Sequence, residues 1–518
     1  GMERMERQYS RSRFRIRWSN ALSLASLLAV TSLLILQAQS SGRLSIEALS
    51  WLSNGHDMDV ITPSSPLYRN ASRSRNPLYD ALHPAAVVFC ESSSEVQSVV
   101  GLATKNNRSF VVRSGRHSLG GDSSVGGQGI IIDLSKINYV HLDANKQQAV
   151  VGGGAIMEDL NAALEADGFL YPPGTTGTVG VVGYLSGAGI PMIDEPVACS
   201  RLLGAKVVLA DGRLVVANAT SHPDLFWALR GGGGGNFGVV VEVTLGLIPL
   251  PPKTTFFVIV YPMEHFHTVS KVFFEQAPTN PGSGVSMTLT GGTIFPPGPA
   301  TGLVGVFKGD KAATQTRLSS FLAIPNATVA VMFEGTFAEV AAKWAELDAG
   351  RQVSLGSSYL LNSLAINEDM YKALSNPGFA PDFNVSEGMG LYCSLVGPAP
   401  HPQNVAFAWN NESVNCWIGA SIIHPEHFKP GVEWFLEARE VFNHAILRPD
   451  STVGAYINYE APYISKAFST RTDRNPDVAG LLKRYYGTSL PRLLEVKRAY
   501  DPDNKFAFHQ SLSQLMTQ

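Results

Sequence analysis

The sequence predicts an α+β chain built in two parts. Three observations carry this. Strand-like and helix-like stretches alternate through residues 80–252 around glycine-rich loops. A Pro-Leu-Pro-Pro break stands at 249–252, and residues 253–450 mix β-rich pieces with amphipathic helical ones. A chain of 518 residues also exceeds what one compact core organises. With 45% hydrophobic and 16% charged residues it can fill that core, which excludes a disordered chain. The net charge of −3 gives no reason to expect nucleic acid or an anionic membrane as a partner.

At the N-terminus, Arg11, Arg13, Arg15 and Arg17 precede an uncharged apolar run over 21–38, followed by Ser-Ser-Gly. Residues 1–41 therefore read as a secretory signal; the run is also long enough to span a bilayer, so an uncleaved membrane anchor is the competing reading. Six Asn-x-Ser/Thr sequons, at Asn70, Asn107, Asn218, Asn326, Asn384 and Asn411, agree with secretion. The four cysteines form no Cys-x-x-Cys pair and allow three disulfide pairings. Cys393 and Cys416 lie on apolar stretches that can neighbour each other, either as a disulfide or as buried thiols. His265, His267, His401, His424 and His427 lack metal-ligand spacing, so no metal is expected. Nothing in the sequence speaks to oligomeric state.

An irregular lead-in rich in Ser, Asn and Pro covers 42–85. A buried strand follows at 85–89. Ser92-x-x-Glu95 is a capping box for a helix whose Val96, Val99, Val100 and Ala103 share one face. Strands are expected at 110–113, 129–134 and 149–152, then a helix over 156–166 stopped by Gly168. Residues 206–210 and 214–217 form a hairpin around Asp211-Gly212. Ser221 is expected to cap a helix carrying Leu225, Phe226, Trp227 and Leu229, and 239–247 is a strand. Beyond the proline break, strands at 256–261, 302–307 and 417–423 and helices at 337–348 and 427–442 predict a sheet with helices on one side.

Three glycine-rich stretches interrupt this pattern. The first is Arg113-Ser114-Gly115-Arg116-His117-Ser118, continuing to Ser124. Its glycines permit close approach of backbone to a ligand, its N–H groups can form an anion nest, and its two arginines would add positive charge beside a phosphate. Taken alone, it is equally a surface turn. The second, 173–189, has too many glycines for a helix or strand interior and too much Val and Leu for a solvated linker, which leaves packing against a flat ligand. The third contains a formal G-x-G-x-x-G at Gly233, Gly235 and Gly238. A helix precedes it and a strand follows, the reverse of the NAD fingerprint, so that reading is rejected.

These motifs resemble the berberine-bridge-enzyme-like FAD-linked oxidases of the vanillyl-alcohol oxidase superfamily. The resemblance covers about 80–518 and rests on the 113–118 loop, the 224–241 run, Tyr456-Ile-Asn-Tyr459 and the closing Tyr500-Asp501-Pro502-x-Asn504-x-Phe506. It implies a PCMH-type FAD-binding domain at 80–252, a substrate domain at 253–450 and a C-terminal segment, 451–518, that completes the FAD domain. His117 would carry FAD covalently through the 8α-methyl group, with Arg113, Ser114, Gly115, Arg116, Ser118, Gly121 and Ser123 around it. Arg116 stands where the family usually has glycine. Gly177, Thr178, Gly180, Gly183 and Gly187 would form the second flavin-contacting segment, and Gly238, Val239 and Val240 the third. Thr176 occupies the position of a second attachment cysteine, which implies attachment through one histidine only. Val179 matches a position tied to oxygen reactivity, and Tyr184 one near the flavin pyrimidine edge. Tyr456, on a strand returning beneath the flavin, would be the base, given a lowered phenol pKa, with Asn458 orienting flavin or substrate. The segment 190–201, with its two prolines, departs from the family's pattern.

The implied function is a secreted oxidase. It would pass a hydride from a small organic substrate to flavin N5 and electrons on to O2, giving hydrogen peroxide. The missing cysteine favours a secondary metabolite over a sugar. A carbohydrate oxidase is one alternative; the other is a non-redox cyclase of the same fold that holds its substrate in a reactive shape.

Overall fold

The computed structural model describes residues 58–277, 282–292, 299–347, 352–361, 388–396, 404–409, 414–446, 454–459, 478–508 and 511–516. The expected signal segment and the sequons Asn384 and Asn411 lie outside them. No helix among the described residues is long and apolar enough to cross a membrane.

The lead-in is less irregular than expected, since it holds strand β1 (Asp59–Ile61) and helix α1 (Tyr68–Ser72). A βαβ unit follows: β2 (Ala86–Phe89), α2 (Ser93–Lys105) and β3 (Phe110–Arg113). With β4 (Ile130–Asp133) they form a sheet of order β1-β2-β4-β3, in which β4 runs parallel to both β2 and β3. Ser92 caps α2 by accepting from Glu95 N at 3.3 Å, and Val96, Val99, Val100 and Ala103 are fully buried, as their spacing predicts. Helix α2 also packs on a second sheet, made of β5 (Val140–Asp143), β6 (Gln148–Gly152), β8 (Leu202–Val208), β9 (Leu214–Asn218) and β10 (Val239–Gly246). This sheet is antiparallel, with order β5-β6-β10-β8-β9. Helix α3 (Met157–Glu165) buries Met157, Leu160 and Leu164 with it, and the pair β7 (Phe169–Leu170) and β11 (Ile248–Pro249) closes its far end.

The third sheet has seven antiparallel strands: β12 (Thr254–Pro262), β13 (Val285–Gly292), β14 (Ala300–Phe307), β15 (Thr328–Gly335), β16 (Val353–Leu361), β17 (Gly388–Leu395) and β18 (Val414–Ile422), in the order β15-β12-β14-β13-β17-β18-β16. Alternation assigns its faces. Phe257, Ile259, Met287, Leu289, Leu391, Cys416 and Ile418 pack with α6 (Phe266–Gln276) and α8 (Phe428–Ile446) into one core; α5 (Pro223–Ala228) precedes this sheet in the chain, and α7 (Phe337–Ala345) falls between α6 and α8. The short α7 covers Phe256 and Val258 on the other face, beside β15. Cys393 and Cys416 sit opposite each other in the β17–β18 register and are joined as a disulfide; Cys90 and Cys199 are buried free thiols.

Three local expectations are corrected. The glycine-rich segment 173–189 does contain a helix, α4 (Val181–Ser186). Burial of Val181, Tyr184 and Leu185 on one side outweighs the cost of Gly183 in its middle. Ser221 is not a cap. It sits in an Asx turn, its N–H donating to Asn218 Oδ1, and left-handed His222 precedes a helix that starts with Pro223. The Tyr456 segment is a 3₁₀ turn (Ile457–Tyr459) rather than a strand. Its backbone bonds to a side chain: Tyr456 N donates to Ser358 Oγ at 2.7 Å, and that hydroxyl donates back to Tyr456 O at 3.1 Å.

The C-terminal helices, α9 (Val478–Tyr486) and α10 (Leu490–Tyr500), return to the first part through a buried ion pair. Lys497 Nζ donates to Asp501 Oδ2 at 2.6 Å, to Asn236 O at 2.8 Å and to Phe506 O at 2.7 Å, and both charged side chains are fully buried. Burial pushes the Lys497 ammonium below its ordinary pKa, and Asp501 opposes that shift. Three acceptors saturate the ammonium, and Asp501 in turn accepts from Lys505 N and Phe506 N, so the closing Asp-Pro-x-Asn-x-Phe motif is a turn wrapped around one charge. Lys497→Met strands the carboxylate and should lower stability by about 3–5 kcal/mol. Lys497→Met/Asp501→Leu should regain part of that loss in urea unfolding. Equal midpoints for wild type and the single variant would remove the pair from its structural role.

Candidate active site

The expected glycine-rich loops meet because backbone packs on backbone. A Cβ added at Gly115 would lie 2.3 Å from Gly180 N, and one at Gly180 would lie 2.0 Å from Ser114 Oγ. No side chain fits at either position. The contact brings the 113–118 loop against the start of α4, and both border a cavity of about 690 Å³. Arg113, Ser114, Gly115, Arg116, His117, Ser118 and Ser123 line it from the first loop. Thr176, Val179, Gly180, Gly183 and Tyr184 line it from the second, and Gly238, Val239 and Val240 from the turn into β10. Tyr456 and Asn458 reach it from the C-terminal segment.

Four of the expected positions stand behind this wall. Gly121, at φ +77°, makes room for the Tyr79 ring, Gly177 for Glu158 and Gly187 for the Asn458 amide. Thr178 Oγ1 is hydrogen-bonded to His117 Nε2 at 2.8 Å.

Both arginines of the loop have partners within the protein. Arg113 is 3% exposed, and its Nε donates to Asp133 Oδ2 at 2.8 Å while its other nitrogens donate to the carbonyls of Ala71, Ser72 and Arg73. Arg116 donates to the same carboxylate oxygen at 3.3 Å and to Asn70 O at 3.1 Å. Asp133, fully buried at the end of β4, collects both guanidinium groups, which tie the cavity-bordering loop to that strand. Arg116 sits at φ +64°, a left-handed conformation that explains why glycine suits this position.

Asn458 ties the opposite wall together. Its Nδ2 donates to Tyr184 O at 3.1 Å and to Tyr456 Oη at 3.0 Å. Tyr456 is 2% exposed, and its hydroxyl also accepts from Ile190 N at 3.3 Å. The divergent 190–201 segment thus supplies one of the two donors to the tyrosine. It is anchored by Arg230, which donates to the carbonyls of Cys199 and Ser200, and by Asp194, which accepts from Gly284 N at 2.7 Å. The expected lowering of the Tyr456 pKa is corrected: burial pushes the phenol well above its ordinary value, Tyr459 adds to that, and the two N–H donors only oppose it. Tyr184 donates to Pro172 O at 3.3 Å and is likewise raised, chiefly by burial.

The seven-stranded sheet roofs the cavity with the face opposite α6 and α8. Thr288, Ser394 and Asn415 lie in one row across β13, β17 and β18, and Thr290, Tyr392 and Trp417 in the next. None of these was singled out in the sequence. Period-two alternation within β17 and β18 marks them as facing away from the core, but only the fold shows that this face meets a cavity. Ser358 and Lys497 carry no signal of their own in the sequence, and Asn236 and Asp501 appear there only as motif positions without a role.

The residues fit a flat dinucleotide. Gly183 lines the cavity in mid-helix, and a Cβ there would meet no protein atom within 4 Å. Ser123 Oγ is buried with no partner among the described residues and also lines the cavity. No cluster able to hold a metal exists among the described residues. Gly183→Leu should therefore leave the protein folded, with a Tm no lower than wild type when flavin-free, yet strip most of the flavin absorbance from the purified protein. A fully flavinated variant would place Gly183 outside the binding surface.

Comparison with known proteins agrees with this geometry. A family described as "FAD binding domain" matches residues 84–218, and one described as "Berberine and berberine like" matches 455–513. An uncharacterised FAD-linked oxidoreductase of Bacillus subtilis is 29% identical over 467 residues, spanning 88% of this chain and 97% of its own. The structure of Physcomitrella patens BBE-like 1 superposes with a TM-score of 0.76 at 23% identity, over 89% of this chain and 98% of its own. Glucooligosaccharide oxidase from Acremonium strictum, described with a 6-S-cysteinyl, 8α-N1-histidyl FAD, gives 0.76 at 21% identity over 90% and 98%. The last two share the fold. The chain carries a match to the FAD-binding domain and one to the berberine-like C-terminal segment, and it is similar to FAD-linked oxidoreductases of the berberine-bridge-enzyme-like kind.

Proposed function

We propose that the protein is a secreted oxidase of a small organic alcohol or phenol, with FAD joined to His117 and O2 as the final acceptor. One observation carries this reading: a single cavity is bordered by the His117 loop, the glycine face of α4, the β10 turn and the Tyr456 hydroxyl. FAD, when bound, accepts a hydride from substrate carbon and passes two electrons to O2, which with two protons becomes hydrogen peroxide. The protein binds, orients and moves the substrate proton. Tyr456 takes that proton on Oη, and the N–H groups of Ile190 and Asn458 hold the oxygen in place. Val179, on the cavity wall, keeps a small side chain where oxygen approaches.

His117 Nε2 is hydrogen-bonded to Thr178 Oγ1 at 2.8 Å. The Acremonium enzyme is described with an 8α-N1-histidyl FAD, and a histidyl linkage of that kind is proposed here for His117. Thr176 offers no thiol, so a second bond is not expected. The same threonine supports a secondary metabolite over a sugar as substrate. Secretion is supported by the Cys393–Cys416 disulfide and by exposed sequon asparagines at positions 70, 107 and 326. Asn218 is half-buried beside its Asx turn.

Peroxide release across a panel of alcohols, phenols and sugars tests the activity. Because the phenol must lose its proton to act and burial raises its pKa, the rate should climb with pH through the neutral range without levelling off below about pH 9. Tyr456→Phe should lower it by about 10²–10⁴-fold, and Val179→Leu should slow it at low oxygen. A profile already flat at pH 7 would assign the base elsewhere. For the linkage, acid-denatured protein should keep yellow fluorescence on a gel, and His117→Ala should lose it. A flavopeptide from 171–190 would contradict attachment at a single site.

A further inference from the structure

Residues 70–79 belong to the lead-in, and no step of the oxidase reading uses them. They nevertheless grip the His117 loop along its length. From the loop, Arg116 Nη1 donates to Asn70 O at 3.1 Å, and the Arg113 guanidinium donates to the carbonyls of Ala71, Ser72 and Arg73. From the lead-in, Arg75 N donates to Arg116 O at 3.0 Å. Leu119 O accepts from Tyr79 Oη at 2.9 Å and from Asn76 Nδ2 at 3.4 Å. The carbonyls of Arg116 and Leu119 are thus both pinned, one residue before His117 and two after it.

The lead-in is itself fixed. Asn76 is 1% exposed and uses its whole amide: Oδ1 accepts from Leu78 N at 3.2 Å, and Nδ2 also donates to Ser354 O on β16 at 2.9 Å. One buried amide therefore joins the lead-in, the His117 loop and the roof. The Tyr79 ring fills the space beside Gly121, where a Cβ would lie 2.5 Å from it. Glycines at 115, 120 and 121 give the loop backbone freedom, and these contacts remove it. That matters for a bond to the imidazole. Reacting atoms must stand about 3–3.5 Å apart and in line, and a misplacement of about 1 Å can cost about 10²-fold in rate. Thr178 orients the His117 ring, but the backbone that carries the ring is set from the lead-in.

We propose, on the reading that FAD is joined to His117, that residues 70–79 are a strap that positions His117 for that bond, with Asn76 and Tyr79 as its positioning residues. Attachment forms one N–C bond at the 8α carbon and breaks one C–H and one N–H bond. The two electrons and two protons released pass to O2 as hydrogen peroxide. The strap takes no part in these transfers; it fixes where the imidazole stands.

The test follows attachment itself. Full-length protein from a riboflavin-starved host is incubated with FAD in air. At intervals, total flavin is read on desalted native protein, and attached flavin on the gel band after acid denaturation. Asn76→Ala should reach the wild-type total yet attach flavin at least tenfold more slowly. Tyr79→Phe, which removes one hydroxyl, should slow attachment about fivefold. Val99→Ala, a truncation in the buried core of α2, controls for lost stability and should attach flavin at the wild-type rate. If Asn76→Ala does not fold, Tyr79→Phe carries the test. Wild-type rates in the strap variants, equal slowing in Val99→Ala, or total and attached flavin falling in step would each overturn the inference. Failure of the His117 reading looks different: wild-type protein would bind FAD and release all of it in acid.

Discussion

The site depends on one contact between two stretches of bare backbone. Gly115 and Gly180 approach so closely that neither has room for a Cβ. That approach sets His117 beside Thr178, and it opens α4 at the point where its glycine face reaches the cavity. The loop on one side is held from behind by Asp133, which gathers two guanidinium groups at the end of a parallel strand. The helix on the other side is held by Asn458 through the carbonyl of Tyr184. A glycine-rich site is thus held in place by charge and amide contacts from residues on its own border.

The same economy governs the far wall. Among the described residues, the Tyr456 turn pairs through one bridge, from Gly454 to Leu360. Its position comes from the Ser358 hydroxyl, from Asn458 and from Ile190 N. Ser358 fixes the backbone of the turn, while Asn458 from within the turn and Ile190 N from far along the chain reach the phenol. The 190–201 segment, which departs from the pattern of the resemblance, supplies Ile190 N and reaches the seven-stranded sheet through Asp194, and through Lys308 on Glu195. The C-terminal segment completes the frame, where Lys497 binds the carbonyl of Asn236 and Phe506 packs edge-on against Phe110 at the base of the His117 loop.

What the sequence disclosed follows from the range of each interaction. The helix at 93–105, the strand at 110–113 and the hairpin around Asp211-Gly212 are set by local periodicity and turn chemistry, and they stand as expected. The His117 loop is a local motif and was legible for the same reason. The target of Arg113 was not, because Asp133 lies twenty residues away on another strand and competes with any phosphate. The Tyr456 turn reads as a strand because alternating aromatics favour one, and only the Ser358 hydroxyl, 98 residues earlier, redirects its backbone. Lys497 and Asp501 are an ordinary i, i+4 pair on paper; full burial is what makes them structural. Helix α4 was obscured by composition, since glycine content is a weak guide where tertiary burial decides.

The central claim is that this chain's own residues hold substrate and flavin together for net oxidation. Its most direct measurement is the anaerobic half-reaction: flavin-loaded protein mixed without oxygen with a compound that it converts. The account predicts that the flavin absorbance bleaches with one equivalent of substrate per flavin and returns when oxygen is admitted. A compound converted to product while the flavin stays fully oxidised would contradict it and identify a non-redox catalyst built on the same cavity.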